Sequence, residues 1–208
     1  MGKTISGGAS SGSRARKPSG GSAEFNMKNF REFEVEEMRL AYAGALDQLT
    51  KAERAAVSDY TGSAFGAINS VLRNEGFNPE SFPNSNITKQ VNAIDSALQR
   101  GTLQEGAILY RGFSANNITS ALESGQLKPG MLITDTGFMS TSARHEEAFG
   151  GTIQLRIFAP PGTKGLYVEP ISHFKGEREF ILPRNTTVAV RGIHKAGSHW
   201  NLDVEVIP

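Results

Sequence analysis

Two glutamates one residue apart, Glu177 and Glu179, lead directly into the apolar run Phe-Ile-Leu at 180–182. On a β-strand, residues i and i+2 point to the same face, so we expect the two carboxylates side by side at the start of a buried strand. Neighbouring carboxylates repel, which raises the pKa of at least one of them, and active sites often hold such pairs. The alternative is a solvated strand face, because this pattern is also common in surface strands.

Two other polar segments precede the glutamate pair in the chain. Arg111 follows the apolar and aromatic residues of 108–110, and Ser140, Thr141 and Ser142 follow Phe-Met at 138–139. Taken singly, the arginine could be an ordinary cation at a strand end, and the Ser-Thr-Ser run could be an edge strand whose hydroxyls face water. Those separate explanations do not account for the occurrence of all three segments in one order, so we favour a joint active site.

Composition limits the class of protein. The chain has 208 residues, of which 38% are hydrophobic and 21% charged, which suits one globular domain with one core. It contains no cysteine, so disulfides and thiolate metal sites are excluded. A net charge of +1 gives no argument for nucleic-acid binding. No apolar run reaches membrane-spanning length, and neither a glycine-rich dinucleotide fingerprint nor a Walker loop is present.

Residues 1–24 read as a tail. They contain six glycines and six serines and carry a net charge of +3, and such a composition cannot repay the entropy of ordering. We therefore predict a disordered basic tail at 1–24 and one domain over 25–208. The first residues also fit the loose pattern for myristoylation of Gly2, which would give membrane association. A secretion leader, a linker or expression-derived residues explain the same composition.

The hydrophobic period changes along the chain. From residue 25 to about residue 100, apolar residues recur at spacings of three and four, which predicts helices. One of these helices begins at a capping box over 50–53, and others cover 63–73 and 87–100. After residue 100 the period is two, at 108–111, 153–157, 188–190 and 202–206. Helices followed by strands predict an α+β domain with a helical layer on antiparallel-rich sheets.

The three polar segments, in this order, resemble the signature of the Arg-Ser-Glu, cholera-toxin-like class of mono-ADP-ribosyltransferases. The upstream run Tyr-Thr-Gly-Ser at 60–63, followed by Ile-Asn at 68–69 and Leu-Arg at 72–73, is similar to the helical region of bacterial toxins and phage enzymes of this class. The resemblance covers about residues 50–208. It implies the ADP-ribosyltransferase-like fold, with the N-terminal helices packed on two antiparallel-rich β-sheets, and one catalytic domain at 25–208.

The resemblance also implies roles for these residues. Breaking the bond between nicotinamide and ribose in NAD passes through an oxocarbenium-like transition state, which a carboxylate stabilises. Glu179 would be that carboxylate, and Arg111 would hold the pyrophosphate or ribose with its fork of donors. Gly112 would let the backbone approach nicotinamide, and Ser140 would hydrogen-bond Glu179. The residues that would support this pocket are Thr141 and Ser142.

Other residues are weaker candidates from the same resemblance. Phe174, at the tip of the loop before the glutamates, would contact the target protein together with Glu177, although Phe174 could equally pack inward. Arg144 would meet phosphate and Phe149 would stack near nicotinamide. Arg156 is a second candidate for phosphate, or else an outward-facing strand cation.

The resemblance implies an enzyme that uses NAD as substrate, needs no metal and modifies a protein side chain. Glu-x-Glu rather than Gln-x-Glu points to arginine as the acceptor, because a carboxylate suits a guanidinium. The class is rich in secreted toxins and virulence effectors that act in the cytoplasm of a target cell, and an inhibitory immunity protein in the producing cell is a further partner it allows. The alternatives are an NAD glycohydrolase and a non-catalytic protein-binding module of the same fold.

Overall fold

The computed structural model describes residues 25–73, 85–147 and 150–207. The predicted tail at 1–24, with Gly2, and the candidate Phe149 lie outside these ranges. The α-helices are α1 (Val35–Asp47), α2 (Lys51–Asp59), α3 (Phe65–Arg73), α4 (Asn86–Leu98) and α5 (Asn116–Glu123). The strands are β1 (Phe30–Arg31), β2 (Gly106–Phe113), β3 (Leu132–Asp135), β4 (Met139–Ser142), β5 (Ile153–Ala159), β6 (Leu166–Tyr167), β7 (Glu179–Leu182), β8 (Thr186–Ala196) and β9 (His199–Ile207).

The predicted capping box opens α2. The Thr50 hydroxyl accepts from the backbone N–H of Glu53 at 3.2 Å, and the Glu53 carboxylate accepts from the N–H of Thr50 at 2.7 Å. These two bonds satisfy donors that a helix N-terminus otherwise leaves unpaired. At its other end α2 runs into a wide π-helical turn, Tyr60–Ala64, in which Gly62 has non-helical dihedral angles. The turn joins α2 to α3 and carries two buried residues, Tyr60 and Thr61.

The nine strands of the described residues form one hydrogen-bonded sheet, in which eight follow the order β3-β8-β9-β5-β2-β4-β7-β6 and β1 pairs with β2 outside this path. The pairs β1–β2 and β5–β9 are parallel and the remaining pairs are antiparallel. The α+β class is therefore confirmed, but the two expected sheets are joined. Their junction is narrow, because β2 pairs with β5 at seven positions and with β4 at one, Tyr110 with Ser142.

Helices and strands share one apolar core. Buried side chains of α1 to α4, such as Met38, Val57 and Ile94, belong to the same cluster as the β7 residues Phe180 and Ile181. This packing fixes the helical layer on the sheet, since burial of apolar area is the main stabilising contribution. Within the part of the chain that the structure describes, no helix combines the length and the apolar character needed to span a bilayer.

Candidate active site

Arg111 lies near the end of β2 and is 3% exposed. Its Nη1 donates to the backbone carbonyl of Ser140 at 3.2 Å, and its Nη2 lies 3.7 Å from Oδ2 of Asp135. Burial lowers the pKa of Arg111, while the charge of Asp135 acts in the opposite direction. Among the described residues, its Nε and Nη2 have no hydrogen-bond acceptor. A buried donor without an acceptor is destabilising, so an anionic ligand that accepts from these two nitrogens would be bound favourably.

Ser140 is held by the π turn. Its hydroxyl lies 3.1 Å from the hydroxyl of Tyr60, which also accepts from the side-chain amide of Asn69 at 2.9 Å. The same Asn69 side chain accepts from the backbone N–H of Phe138 at 2.9 Å. Burial raises the pKa of Tyr60 to about 12, and the charge of Glu179 adds to the increase. Tyr60 therefore stays protonated and can donate near neutral pH.

Glu179 is the first residue of β7 and is 5% exposed. The β4–β7 ladder places it directly opposite Ser142. Its charge acts on both Tyr60 and Arg111, so these side chains share one electrostatic neighbourhood. The structure thus brings together Arg111, Ser140 and Glu179 from three strands that are separate in sequence. The hydrogen bond expected between Ser140 and Glu179 stays a prediction.

Glu177 does not lie on the strand, so the expectation that it shares a strand face with Glu179 is wrong. It ends a short 3₁₀ helix, Lys175–Glu177, and is half-buried. The next residue, Arg178, adopts a left-handed conformation with φ of +47°, which breaks the extended chain. The Arg178 carbonyl accepts from the N–H of Ala143 at 3.1 Å, which fixes this turn. A positive φ at a non-glycine residue is uncommon and is often found at functional sites.

The ladder between β2 and β4 is short. Gly112 pairs with Gln154 on the β5 side, but no β2–β4 pair beyond Tyr110 is found in the described chain. The β2–β4 ladder therefore does not extend to Arg111 and Gly112, although Nη1 of Arg111 donates to the Ser140 carbonyl on β4. Gly112 itself is buried, and its expected approach to nicotinamide stays a prediction.

The loop before β7 docks on the π turn. The backbone N–H of His173 donates to the Thr61 hydroxyl at 3.1 Å. A Cβ added at Gly62 would lie 2.9 Å from Cδ2 of His173, so glycine is needed there to admit the imidazole ring. Phe174 is 53% exposed, which excludes the alternative that it packs inward. The loop is thus anchored at its base and presents an aromatic ring to solvent.

A family model described as ADP-ribosyltransferase exoenzyme matches residues 38–206. The chain belongs to this family. It is 32% identical over 141 residues to the NAD(+)–arginine ADP-ribosyltransferase EFV of Enterococcus faecalis, covering 65% of this chain and 28% of that protein. It is 30% identical over 157 residues to the mono-ADP-ribosyltransferase C3 of a Clostridium botulinum D phage, covering 67% of this chain and 62% of that protein. The chain thus spans less than two thirds of the length of either relative.

A solved member of the family has the same fold. The crystal structure of the Clostridium limosum C3 exoenzyme superposes with a TM-score of 0.72 and 26% identity, covering 86% of this chain and 98% of that one. Together with the α+β architecture, this likeness confirms the fold that the motif order predicted.

Three other candidates from the family pattern lie near the centre but are engaged elsewhere. The Thr141 hydroxyl donates to the carbonyl of Phe180 at 2.7 Å, so it ties β4 to β7. The Ser142 hydroxyl accepts from the backbone N–H of Arg144 at 3.1 Å. The Arg144 guanidinium pairs with the carboxylate of Glu34 at 2.9 Å, just before α1. A ligand phosphate at Arg144 would therefore compete with that carboxylate.

Arg156 lies on the other face of the sheet. It is opposite Tyr110 in the β2–β5 ladder, whereas Arg111 is opposite Leu155. Because successive strand residues point to opposite faces, Arg156 and Arg111 point away from each other. Nε and Nη2 of Arg156 donate to Oδ1 and Oδ2 of Asp203, both at 2.8 Å. The structure therefore supports the alternative interpretation of Arg156 as an outward-facing cation.

Sequence reasoning assigned no role to Asp135, which is 1% exposed at the end of β3. Tyr60, Asn69 and Arg73 are indicated by the sequence only as part of the family resemblance. An aspartate two residues before a glycine normally indicates a turn, and Asp135 does accept from the N–H of Gly137 at 2.9 Å. The sequence does give one indication, the charge of Asp135, because an aspartate next to a buried segment is seldom buried itself unless it is paired.

Proposed function

We propose that the protein is a mono-ADP-ribosyltransferase that moves ADP-ribose from NAD to an arginine side chain of a target protein. The observation that carries this proposal is the convergence of Arg111, Ser140 and Glu179 at the β2–β4 junction. In the reaction the bond between nicotinamide and the ribose C1′ breaks, and a guanidinium nitrogen of the acceptor bonds to C1′. Nicotinamide leaves with the bonding electron pair, and the acceptor nitrogen loses a proton.

The buried donors of Arg111 support the use of NAD as substrate. Nε and Nη2 are not used by any acceptor in the described residues, and a pyrophosphate offers oxygens that suit a guanidinium fork. Held in this way, NAD would present its glycosidic bond to Glu179. A preorganised carboxylate in a buried site stabilises the developing positive charge strongly, because little water screens it. The proposed chemistry needs no metal.

The different positions of the two glutamates support different roles. Glu179 is buried on β7, whereas Glu177 is half-buried on the loop that presents Phe174. Glu177 is therefore placed to accept hydrogen bonds from an incoming guanidinium, and Phe174 to contact the protein that carries it. The name of the enterococcal relative specifies arginine for that protein. We propose the same acceptor here, and action as a secreted effector in the cytoplasm of a target cell.

The test compares two substitutions in two assays. Glu179→Gln should reduce both nicotinamide release and labelling of the target by roughly 10²-fold or more, because the charge is needed whatever the acceptor. Glu177→Gln should reduce labelling but leave slow nicotinamide release. Glu105→Gln is the control, since Glu105 is exposed and pairs with Arg31. Equal losses in both assays for Glu177→Gln would refute the division of roles, and a wild-type protein that releases nicotinamide without labelling any target would indicate an NAD glycohydrolase.

A further inference from the structure

One buried carboxylate lies between two buried guanidinium groups. The Asp135 oxygens accept from Nε and Nη2 of Arg73, both at 2.8 Å. Oδ2 of Asp135 also lies 3.7 Å from Nη2 of Arg111. The side chains of all three residues are at most 8% exposed. This cluster joins the end of β3, the end of α3 and β2.

Asp135 binds Arg73 closely but lies farther from Arg111, and the two arginines are therefore held in different ways. Arg73 is bound to Asp135 by a bidentate pair, which fixes its orientation. Arg111 lies beyond hydrogen-bond distance from the same carboxylate, so the charge attracts it without using its donors. Its other anchor is the carbonyl of Ser140 at 3.2 Å. The three side chains of the cluster together carry one net positive charge, and the carboxylate of Glu179 acts on the same Arg111 guanidinium.

We propose that Asp135 is a positioning residue for NAD binding, which holds the Arg111 guanidinium in the orientation that leaves Nε and Nη2 for the ligand and keeps Arg73 beside it. The inference rests on the proposed function. Without the carboxylate, the two guanidinium groups repel each other and Arg111 turns away from its place at the β2–β4 junction. A carboxylate that only anchors α3 would affect the stability of the fold and nothing else.

The sign of the effect on KM tests the proposal. Asp135→Asn makes the cluster more positive, so charge alone would strengthen NAD binding and lower the KM for NAD. Loss of orientation has the opposite effect, and we expect the KM to rise about tenfold or more, with a smaller change in kcat at saturating NAD. The control is Glu53→Gln, which removes the charge of another buried carboxylate, one that pairs with Arg100 at 2.8 Å. It should lower the melting temperature and leave the KM unchanged.

A second pair of variants covers the case in which Asp135→Asn does not fold, because removal of one partner leaves Arg73 buried and unbalanced. The double variant Asp135→Asn/Arg73→Gln keeps a neutral amide pair at this place. Its KM for NAD should exceed that of Arg73→Gln alone, since Arg111 also loses its carboxylate.

Three results would overturn the inference. The first is a folded Asp135→Asn variant with an unchanged or lower KM for NAD, and the second is an equal KM for the double variant and Arg73→Gln. Both results leave the proposed function intact if the wild-type protein cleaves NAD. A wild-type protein that neither binds nor cleaves NAD would overturn the inference and the proposed function together.

Discussion

The hydroxyl of Tyr60 connects the helical layer to the candidate active site, so its removal is a direct test of how Ser140 is held. In Tyr60→Phe the aromatic ring stays and one oxygen is lost. That oxygen lies 3.1 Å from the Ser140 hydroxyl, 2.9 Å from the Asn69 amide nitrogen and 3.3 Å from the Phe138 carbonyl. The Asn69 amide keeps a bond to the Phe138 carbonyl at 3.3 Å, so Ser140 is the group most affected.

The size of the effect follows from these contacts. A buried hydrogen bond contributes about 0.5 to 1.5 kcal/mol, and a buried group left without a partner costs about 1 to 3 kcal/mol. We therefore expect Tyr60→Phe to lower the free energy of unfolding by about 1 to 3 kcal/mol, which shifts the melting temperature by roughly 3 to 10 °C for a chain of this size. If Ser140 then loses its orientation, NAD cleavage should slow by about threefold to tenfold.

Tyr42→Phe is the matched control. Tyr42 is also buried, at 3% exposure, but its hydroxyl has no hydrogen-bond partner in the ranges that the structure covers. Removal of an unsatisfied buried hydroxyl should be neutral or slightly stabilising. Thermal melting and nicotinamide release are measured for both variants. If Tyr60→Phe melts like Tyr42→Phe and cleaves NAD at the wild-type rate, the link from Tyr60 to Ser140 has no role in stability or catalysis.

Two further predictions concern charge. Arg111→Lys keeps the charge but loses the fork, so calorimetry on the folded variant should show NAD binding weakened about tenfold or more, and unchanged affinity would remove our assignment of Arg111. The Arg100 guanidinium holds the pKa of Glu53 at about 2, below the usual 4.5. The Glu53 carboxylate should therefore stabilise the fold fully above pH 4.5, and its contribution of roughly 1 to 3 kcal/mol should be lost as the pH falls towards 2. Glu53→Gln should flatten the melting temperature over that pH window, and a wild-type curve that is equally flat would contradict this.

The sequence predicted those features that depend on local pattern. Thr50 and Glu53 form the capping box because their spacing matches the first helical turn. Arg111, Ser140 and Glu179 lie on strands, as the period of two at 108–111 and the apolar residues next to Ser140 and Glu179 indicated. Each of these inferences needs only residues within one element, and the order of the elements then indicated the family.

Features that depend on distant partners were not predicted. Nothing near Arg178 indicates a left-handed residue, since arginine rarely adopts that conformation, and the turn is fixed by a bond to Ala143, 35 positions earlier in the chain. In the same way, the ion pairs of Asp135 are formed with Arg73 and Arg111, which lie on other elements of the fold. Sequence alone therefore placed the glutamates on one strand and left Asp135 without a role.

Each residue of the run Tyr-Thr-Gly at 60–62 makes a specific contact from the π turn. Tyr60 supports Ser140, Thr61 accepts a bond from the loop that carries Phe174, and Gly62 leaves room for His173 on that loop. This single turn thus supports both the strand that carries Ser140 and the base of the loop that carries Phe174. The relative placement of the proposed NAD site and the proposed acceptor-binding loop therefore depends on this turn as well as on the sheet, since both are bonded to consecutive residues of the turn.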